Sequence, residues 1–314
     1  MSKLLGKPRS LLAALFSCLA LISAPLALAF SSLSLTGCAS SAASREISVS
    51  GSTTMLPIAE AAAEKIKEEQ GINALVSGLG SSAGIEAVMS GTADIATSSR
   101  DLTSEEAAAG ILQKTIIAHD GIAVIVNPEN PVTNISLASL RAIYAGTITN
   151  WRELGGPDET ILVVNRDEAS GTREAFKEIV MQGTPFDRTA AVLPGTGQVR
   201  DVVSRTKNAI GYISLGFVAS SYTKEKVKAL AIDGVYPQET AIQNKTYSIS
   251  RDLFFFTRAN LSADACAFLD FVLSDKMNAT IEEAGYLPLS AAEKSAQGAA
   301  SASHDAMKPT QEVG

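Results

Sequence analysis

Apolar and polar positions along this chain fall into short blocks that predict strands followed by helices. The apolar run Ile47–Val49 precedes a stretch in which Ile58, Ala62 and Ile66 recur every four residues, as one face of a helix does. The same order returns at Ala74–Val76 and again further along the chain. Repeated alternation of strand and helix is typical of α/β layers, so we predict an α/β fold.

The turns between these strands and helices are rich in hydroxyl side chains and glycine. Three of them are Gly51–Thr54, Gly80–Gly84 and Ser170–Thr172, and a weaker fourth is Pro194–Gly197. A helix leaves its first backbone N–H groups without intrahelical partners, so turns of this kind can bind an anion. Serine, threonine and glycine also cap ordinary helices, but capping requires neither paired glycines nor a neighbouring arginine. If the turns lie at the ends of adjacent strands, their donors converge on one crevice.

Two arginines accompany these turns. Arg166 ends the strand that leads into Ser170–Thr172, and its planar fork of donors suits an oxyanion. Ser99 and Arg100 end another predicted strand and are expected to point into the same crevice. The pattern predicts an anion site that needs no metal ion and no cofactor.

The net charge of the chain indicates that the affinity of such a site comes from local hydrogen-bond donors. The formal net charge is -7, and removing residues 1–37, with three basic and no acidic residues, takes it to -10 (-7 minus 3). A nucleic-acid-binding surface is therefore excluded, and local donors must hold the anion. Charge-assisted hydrogen bonds contribute about 1.5–3 kcal/mol each, so four or five supply the roughly 8 kcal/mol of micromolar binding.

The N-terminus predicts export. Residues 1–37 carry basic residues followed by the apolar run Leu11–Phe30, as in a secretory signal. Leu35–Cys38 looks like the lipobox of bacterial lipoproteins, in which the cysteine is lipidated, and residues 38–45 would then be the tether. An uncleaved transmembrane anchor is the alternative. Either way we expect the body of the protein outside the cytoplasm and attached to the cell envelope.

Residues that suggest catalysis are few. A hydrolase with Ser170 as nucleophile would need a base, and the chain has only His119 and His304. No clustered metal ligands are visible, so we expect no enzymatic activity. Of the three cysteines, Cys18 lies in the predicted signal and Cys38 is the predicted lipidation site, so only Cys266 remains and a disulfide framework is ruled out. Cys266 lies on the apolar face of a predicted helix, which suggests a buried, inert thiol.

Two long β-rich segments suggest crossings between domains. They are Ile116–Asn127 and Tyr247–Phe256. We therefore predict a discontinuous domain I of residues 46–126 and 251–290, and a domain II of residues 127–250, with a hinge and a cleft between them. Residues 291–314 lack an apolar period and are expected to form a mobile tail.

Seven short segments, in order, resemble the phosphate-binding proteins of bacterial phosphate ABC transporters, the PstS-like solute-binding proteins. They are Gly51–Thr54, Gly80–Gly84, Ser98–Leu102, Asp120–Asn127, Ile148–Trp151, Arg166 with Ser170–Thr172, and Gly285–Pro288. The similarity covers nearly all of residues 46–290. It implies a type II periplasmic-binding-protein fold, in which two α/β domains close on one dehydrated phosphate.

The resemblance also implies which residues bind. The first turn would supply Ser52, Thr53 and Thr54, and the second Ser81. The other domain would supply four further residues, namely Arg166, Ser170, Gly171 and Thr172. The implied function is capture of inorganic phosphate and its delivery to the transmembrane subunits of an ABC permease, by a monomer.

One position departs from the family pattern. Some relatives carry an aspartate in the third turn that accepts the proton of hydrogen phosphate and so rejects sulfate, whereas this chain has Ser99 there, with Arg100 as an added donor. A serine does not penalise an unprotonated anion as a fixed carboxylate does. A receptor for another oxyanion, namely sulfate, molybdate or tungstate, therefore stays open as an alternative. A phosphate sensor without a transport partner is a second alternative.

Overall fold

The computed structural model describes residues 45–219 and 225–297. Cys38, the predicted signal segment and residues 298–314 lie outside these ranges. Within them, no helix combines the length and the apolar character needed to cross a membrane.

Twelve strands form two sheets across the described residues. They are β1 (Glu46–Gly51), β2 (Asn73–Ser77), β3 (Ile95–Ser98), β4 (Leu112–Val126), β5 (Asn134–Ile135), β6 (Leu162–Arg166), β7 (Ala191–Leu193), β8 (Ala209–Ser214), β9 (Lys228–Ala229), β10 (Ala231–Ile232), β11 (Ser250–Arg258) and β12 (Leu287–Pro288). The large sheet has the order β2-β1-β3-β11-β4-β8-β6-β7, with β9 and β12 also paired to β4, and β10 pairs separately with β5. Parallel strands β1–β3 lie at one end and β6–β8 at the other, joined by the antiparallel pair β11 and β4.

Helices follow most of the parallel strands. They are α1 (Leu56–Gln70), α2 (Ser81–Ser90), α3 (Ser104–Ala108), α4 (Leu137–Tyr144), α5 (Gly171–Phe176), α6 (Thr196–Arg205), α7 (Leu215–Ala219), α8 (Glu239–Gln243), α9 (Ala263–Leu273) and α10 (Asn278–Glu283). Short 3-10 helices span Trp151–Leu154 and Asp275–Met277, and a π-helical turn at Lys177–Met181 extends α5. The predicted α/β fold class is confirmed.

Helix α1 shows how the sequence pattern becomes packing. Its buried residues Ile58, Ala59, Ala62 and Ile66 form one stripe against β1 and β2, as the spacing predicted. The helix ends at Gly71, whose φ of 70° is the left-handed conformation that glycine adopts without a Cβ penalty.

The protein has two main hydrophobic cores, which define two lobes. The core of the first lobe is built from residues 47–118 and 253–286, and that of the second from residues 122–249. Strand β4 contributes Ile117 and Ala118 to the first core and Ile122–Val126 to the second. On β11, Leu253 and Phe255 face the first core, while Phe254 and Phe256 face a smaller cluster on the other side of the sheet.

The prediction of a buried Cys266 is wrong, because its side chain is exposed. Helix α9 buries Ala265, Phe268, Phe271 and Val272 instead. The pattern around position 266 is apolar on several sides of the helix, so the sequence did not show which stripe faces the core.

The segment expected to be a mobile tail begins with ordered structure. Residues 291–297 are helical and dock on the edge of β4. The Gln297 side chain accepts from the Ile116 N–H at 2.6 Å and donates to its carbonyl at 3.1 Å. Lys294 donates to Asn278 Oδ1 at 2.8 Å. These contacts extend the first lobe beyond residue 290.

Candidate functional site

The first hydroxyl-rich turn is held tightly against β3. A Cβ on Gly51, which has φ 143°, would lie 2.1 Å from the Thr97 carbonyl oxygen, so only glycine fits. Ser52 N–H donates to the same carbonyl at 2.9 Å, and the Thr54 N–H donates to Ser52 Oγ at 3.2 Å. Ser52 and Thr54 are buried.

The second turn, Gly80–Gly84, and the turn at Ser98–Leu102, called here the third, meet the first through serine hydroxyls. Ser52 Oγ donates to Ser99 Oγ at 3.0 Å, and Ser81 Oγ lies 3.4 Å from Ser99 Oγ. The Ser99 N–H donates to Ser81 Oγ at 3.1 Å. Three turns that the sequence places up to 47 residues apart are therefore joined by direct contacts at one point.

The second lobe brings a matching turn to the same place. Ser170 is the N-cap of α5 and accepts from the Arg173 N–H. The next residue, Gly171, touches the first lobe so closely that a Cβ on it would lie 2.2 Å from Ser81 Oγ. On the facing turn, a Cβ on Gly80 would lie 2.7 Å from the Ala169 carbonyl oxygen. Glycines on both sides let the lobes make this contact.

Hydroxyl pairs also join the two lobes directly. Thr54 Oγ1 lies 3.0 Å from Thr172 Oγ1, and Thr53 Oγ1 lies 3.0 Å from Thr196 Oγ1. Thr196 opens α6 in the fourth turn, which the sequence showed as a turn but not as a source of a site residue. We call the set the hydroxyl cluster; its members are Ser52, Thr53, Thr54, Ser81, Ser99, Ser170, Thr172 and Thr196.

Arg166 lies behind the second-lobe part of the hydroxyl cluster. Its guanidinium donates to the carbonyls of Leu193 at 3.0 Å and Pro194 at 2.8 Å, and to Thr196 Oγ1 at 3.3 Å. Burial lowers the pKa of Arg166 from its ordinary value, and the charge of Asp167 opposes that change. An arginine stays charged even so, so it supplies a buried positive charge and orders the fourth turn.

Arg100 takes a different direction from the one expected. Its guanidinium forms a fork with Glu106, at 2.7 and 2.8 Å, and also donates to Ser82 Oγ at 3.0 Å. Burial acts to raise the pKa of Glu106, but the hydrogen bonds from Arg100 and Thr103 outweigh it and leave that pKa below its ordinary value. Glu106 also completes the capping box of α3. Arg100 thus braces the turn, and its side-chain contacts are not with the hydroxyl cluster.

A third arginine with a buried side chain, absent from the sequence-based assignment, lies under the first turn. Arg251 on β11 donates to Asp120 Oδ2 at 2.9 and 3.1 Å, to the Ser99 carbonyl at 3.0 Å and to Thr54 Oγ1 at 3.4 Å. Complete burial raises the pKa of Asp120, while the charge of Arg251 and the Ser214 hydroxyl oppose that rise. No local sequence signal joins two residues 131 positions apart.

The hydroxyl cluster is arranged to donate hydrogen bonds. Most of its oxygens already accept from a group that can only donate: Ser52 from Thr54 N–H, Ser81 from Ser99 N–H, Ser170 from Arg173 N–H, Thr54 from Arg251 and Thr196 from Arg166. Each of these hydroxyls keeps one hydrogen to donate, which Ser52 gives to Ser99 Oγ and the others can give to a bound acceptor. An oxyanion is an acceptor on every oxygen, and the starts of α2 and α6 add backbone donors.

The same residues are poorly arranged for nucleophilic catalysis. His119 lies on β4, with Nδ1 2.6 Å from Asp252 and Nε2 3.1 Å from Glu293, so both ring nitrogens are engaged away from Ser170. Among the described residues, no group of three or more His, Cys, Asp or Glu side chains could hold a metal ion. The geometry favours binding.

Comparison with known proteins agrees with this geometry. The family model described as a PBP superfamily domain matches residues 36–276. The phosphate-binding protein PstS of Borreliella burgdorferi is 33% identical over 77% of this chain and 89% of its own length, and that of Bacillus subtilis is 34% identical over 79% and 82%.

Solved structures give the same result. A phosphate ABC transporter substrate-binding protein from Clostridium perfringens, solved with bound phosphate, is 38% identical with a TM-score of 0.74, over 78% of this chain and all of that one. An ABC-type phosphate transport receptor from Vibrio cholerae is 34% identical with a TM-score of 0.65, over 77% of this chain and all of that one. The chain therefore belongs to the PBP superfamily and, within it, to the PstS phosphate-binding proteins.

Proposed function

We propose that this protein captures inorganic phosphate between its two lobes, outside the cytoplasm, and delivers it to an ABC permease without chemical change. The observation that carries the proposal is the hydroxyl cluster, in which oxygens from both lobes accept from N–H groups, so that hydroxyl hydrogens can be donated to an acceptor between the lobes. The relatives named above support phosphate as that acceptor.

The proposed ligands come from five turns and both lobes. They are Ser52, Thr53, Thr54, Ser81, Ser99, Arg166, Ser170, Gly171 and Thr172, to which we add Thr196. Arg100 acts in this proposal through Ser82 at the start of α2, because Glu106 holds its guanidinium. Charge is balanced around the site: Arg251 pairs with Asp120, Arg100 with Glu106, and Arg166 lies 3.7 Å from Asp167. Local hydrogen bonds therefore account for the affinity.

Binding in this proposal closes a hinge. Domain I comprises residues 46–126 and 251–290, extended by the helix at 291–297, and domain II comprises residues 127–250. The support is the pair of hydrophobic cores, between which β4 and β11 are the connecting strands of the sheet. The contacts of Thr54 with Thr172 and of Gly171 with Ser81 belong to the closed form.

Attachment to the cell envelope completes the proposal. We propose that Cys38 is the lipidated N-terminus of the mature protein, that residues 38–45 tether the lobes to the membrane, and that the protein works as a monomer. The lipobox-like Leu35–Cys38 supports the anchor. A lipid anchor keeps the receptor near the permease that it serves.

A titration with phosphate and then with sulfate tests this proposal. The protein used begins after Cys38 and is free of bound anion. Calorimetry at neutral pH should show phosphate binding of about micromolar affinity or tighter, and weaker sulfate binding. Comparable heats from both anions would make the protein a general oxyanion receptor, and the absence of a phosphate heat would contradict the proposal.

A further inference from the structure

Arg251 occupies a position that links the hydroxyl cluster to the strands between the lobes. Its Nη1 donates to the Ser99 carbonyl at 3.0 Å and its Nη2 donates to Thr54 Oγ1 at 3.4 Å. Both acceptors belong to turns of the first lobe, whereas Arg251 itself lies at the start of β11, next to the passage between the cores. The side chain is only 5% exposed.

Asp120 anchors this arginine from the neighbouring strand. Asp120 and Arg251 are register partners on β4 and β11. Asp120 Oδ2 accepts from Nε and Nη2 of Arg251, and Oδ1 accepts from Ser214 Oγ at 2.7 Å. Ser214 ends β8 in the second lobe. The carboxylate thus connects the second lobe to an arginine that contacts the anion-binding turns of the first.

The contact with Thr54 sets the direction of a hydroxyl. A guanidinium can only donate, so Thr54 Oγ1 accepts from Arg251 and its hydrogen must go to another acceptor. Thr172 Oγ1 lies 3.0 Å away across the cleft, and either this oxygen or an anion oxygen in its place can be that acceptor. Without Arg251 the hydroxyl loses this fixed donor and is free to rotate, so its hydrogen is no longer held toward the anion.

We propose that Arg251, held by Asp120, is a positioning residue for phosphate: it orients the Thr54 hydroxyl as a donor and fixes the first and third turns to the strands between the lobes. The proposal rests on the phosphate-binding function proposed above. A buried ion pair contributes little net stability compared with apolar residues of the same volume, so stability alone gives no reason for a pair at this position.

A double-mutant cycle on phosphate affinity tests the proposal. The variants are Arg251→Lys, which keeps the charge beside Asp120 but loses the forked donors, Thr54→Val, and the two together. Each single change should weaken phosphate binding at least about tenfold, or 1.4 kcal/mol. The double variant should bind much more tightly than the product of the two factors predicts, because both changes remove the same oriented hydroxyl.

Arg258→Lys, on the exposed end of the same strand, is the matched control and should bind phosphate like the wild type. Independent, multiplicative effects of the two changes, or unchanged affinity in Arg251→Lys, would overturn the proposal. If Arg251→Lys does not fold, the double replacement Asp120→Leu with Arg251→Met removes both charges of the ion pair. Wild-type phosphate affinity in that variant would also overturn the proposal. A wild-type protein without a phosphate heat would instead contradict the function itself.

Discussion

Replacing Gly171 by alanine should prevent the lobes from closing on the anion. The added Cβ would lie 2.2 Å from Ser81 Oγ, 2.8 Å from Ser81 Cβ and 2.9 Å from Ser99 Oγ, whereas ordinary contact begins at 3.4 Å. Rotation of the Ser81 side chain relieves only the first contact, because the backbone fixes its Cβ. The facing turns must therefore move apart by about 0.6 Å, from 2.8 Å to the 3.4 Å at which ordinary contact begins.

The expected loss follows from hydrogen-bond geometry. Bonds to an anion have donor–acceptor distances of about 2.7–2.9 Å, so a shift of about 0.6 Å stretches those from one side of the cleft to about 3.3–3.5 Å, beyond the usual hydrogen-bond range. Losing two charge-assisted bonds at about 1.5–3 kcal/mol each costs about 3–6 kcal/mol. This corresponds to phosphate binding weakened by about 10²–10⁴-fold.

Calorimetric titration of the anion-free variant with phosphate measures this loss. Gly197→Ala is the matched control, since it also lies in the first turn of a helix at the cleft but its Cβ would have no atom within 4 Å. Alanine favours a helix over glycine by up to about 1 kcal/mol, so the thermal midpoint of anion-free Gly171→Ala should not fall. A phosphate affinity within about threefold of the wild-type value, which is a difference of less than about 1 kcal/mol in binding free energy, would refute the reasoning.

Three further changes test other parts of the account. Arg166→Ala should weaken phosphate binding at least about tenfold by releasing the fourth turn, and unchanged affinity by calorimetry would contradict that role. Cys38→Ala should release the protein from the cell envelope in fractionation, whereas continued retention would indicate an uncleaved anchor. The hydrogen bond of His119 to Asp252 raises the His119 pKa, against the effect of burial, with Glu293 as second partner. Because the His119 pKa is higher in the folded than in the unfolded protein, protonated His119 stabilises the fold fully below its ordinary pKa of 6.5, and this contribution is lost as pH rises through the raised pKa of the folded state. The thermal midpoint of wild type relative to His119→Gln should therefore fall over that range, and a constant difference would contradict the assignment.

The turns could be predicted from the sequence because their chemistry is local. A strand, a glycine and hydroxyl turn, and a helix follow one another within a few residues, so the local sequence is enough to place Ser81, Ser170 and Gly171 at turns that lead into helices. The buried face of α1 could be predicted equally well, since the four-residue spacing of its apolar residues identifies that face. The α/β class and the PstS family followed from these segments taken in order, and both are confirmed.

Side-chain direction at the site was decided by tertiary contacts. Arg100 and Ser99 are neighbours in sequence, yet Ser99 joins the hydroxyl cluster while Glu106 holds the Arg100 guanidinium on the other side of the turn. On α9, burial of Phe268 rather than Cys266 depends on which stripe meets α1 and β1. Sequence patterns give residue types and periods, but not which of several possible partners is nearest.

What the sequence determined by itself is therefore the set of donors: hydroxyls, backbone N–H groups and Arg166 at the ends of strands. What only the tertiary structure decided is how they converge and from which N–H groups their oxygens accept. Thr54 meets Thr172 from 118 residues away, and Arg251 meets Asp120 from 131 away. Such pairs form because antiparallel β4 and β11 bring the two cores together, and no local propensity encodes that meeting.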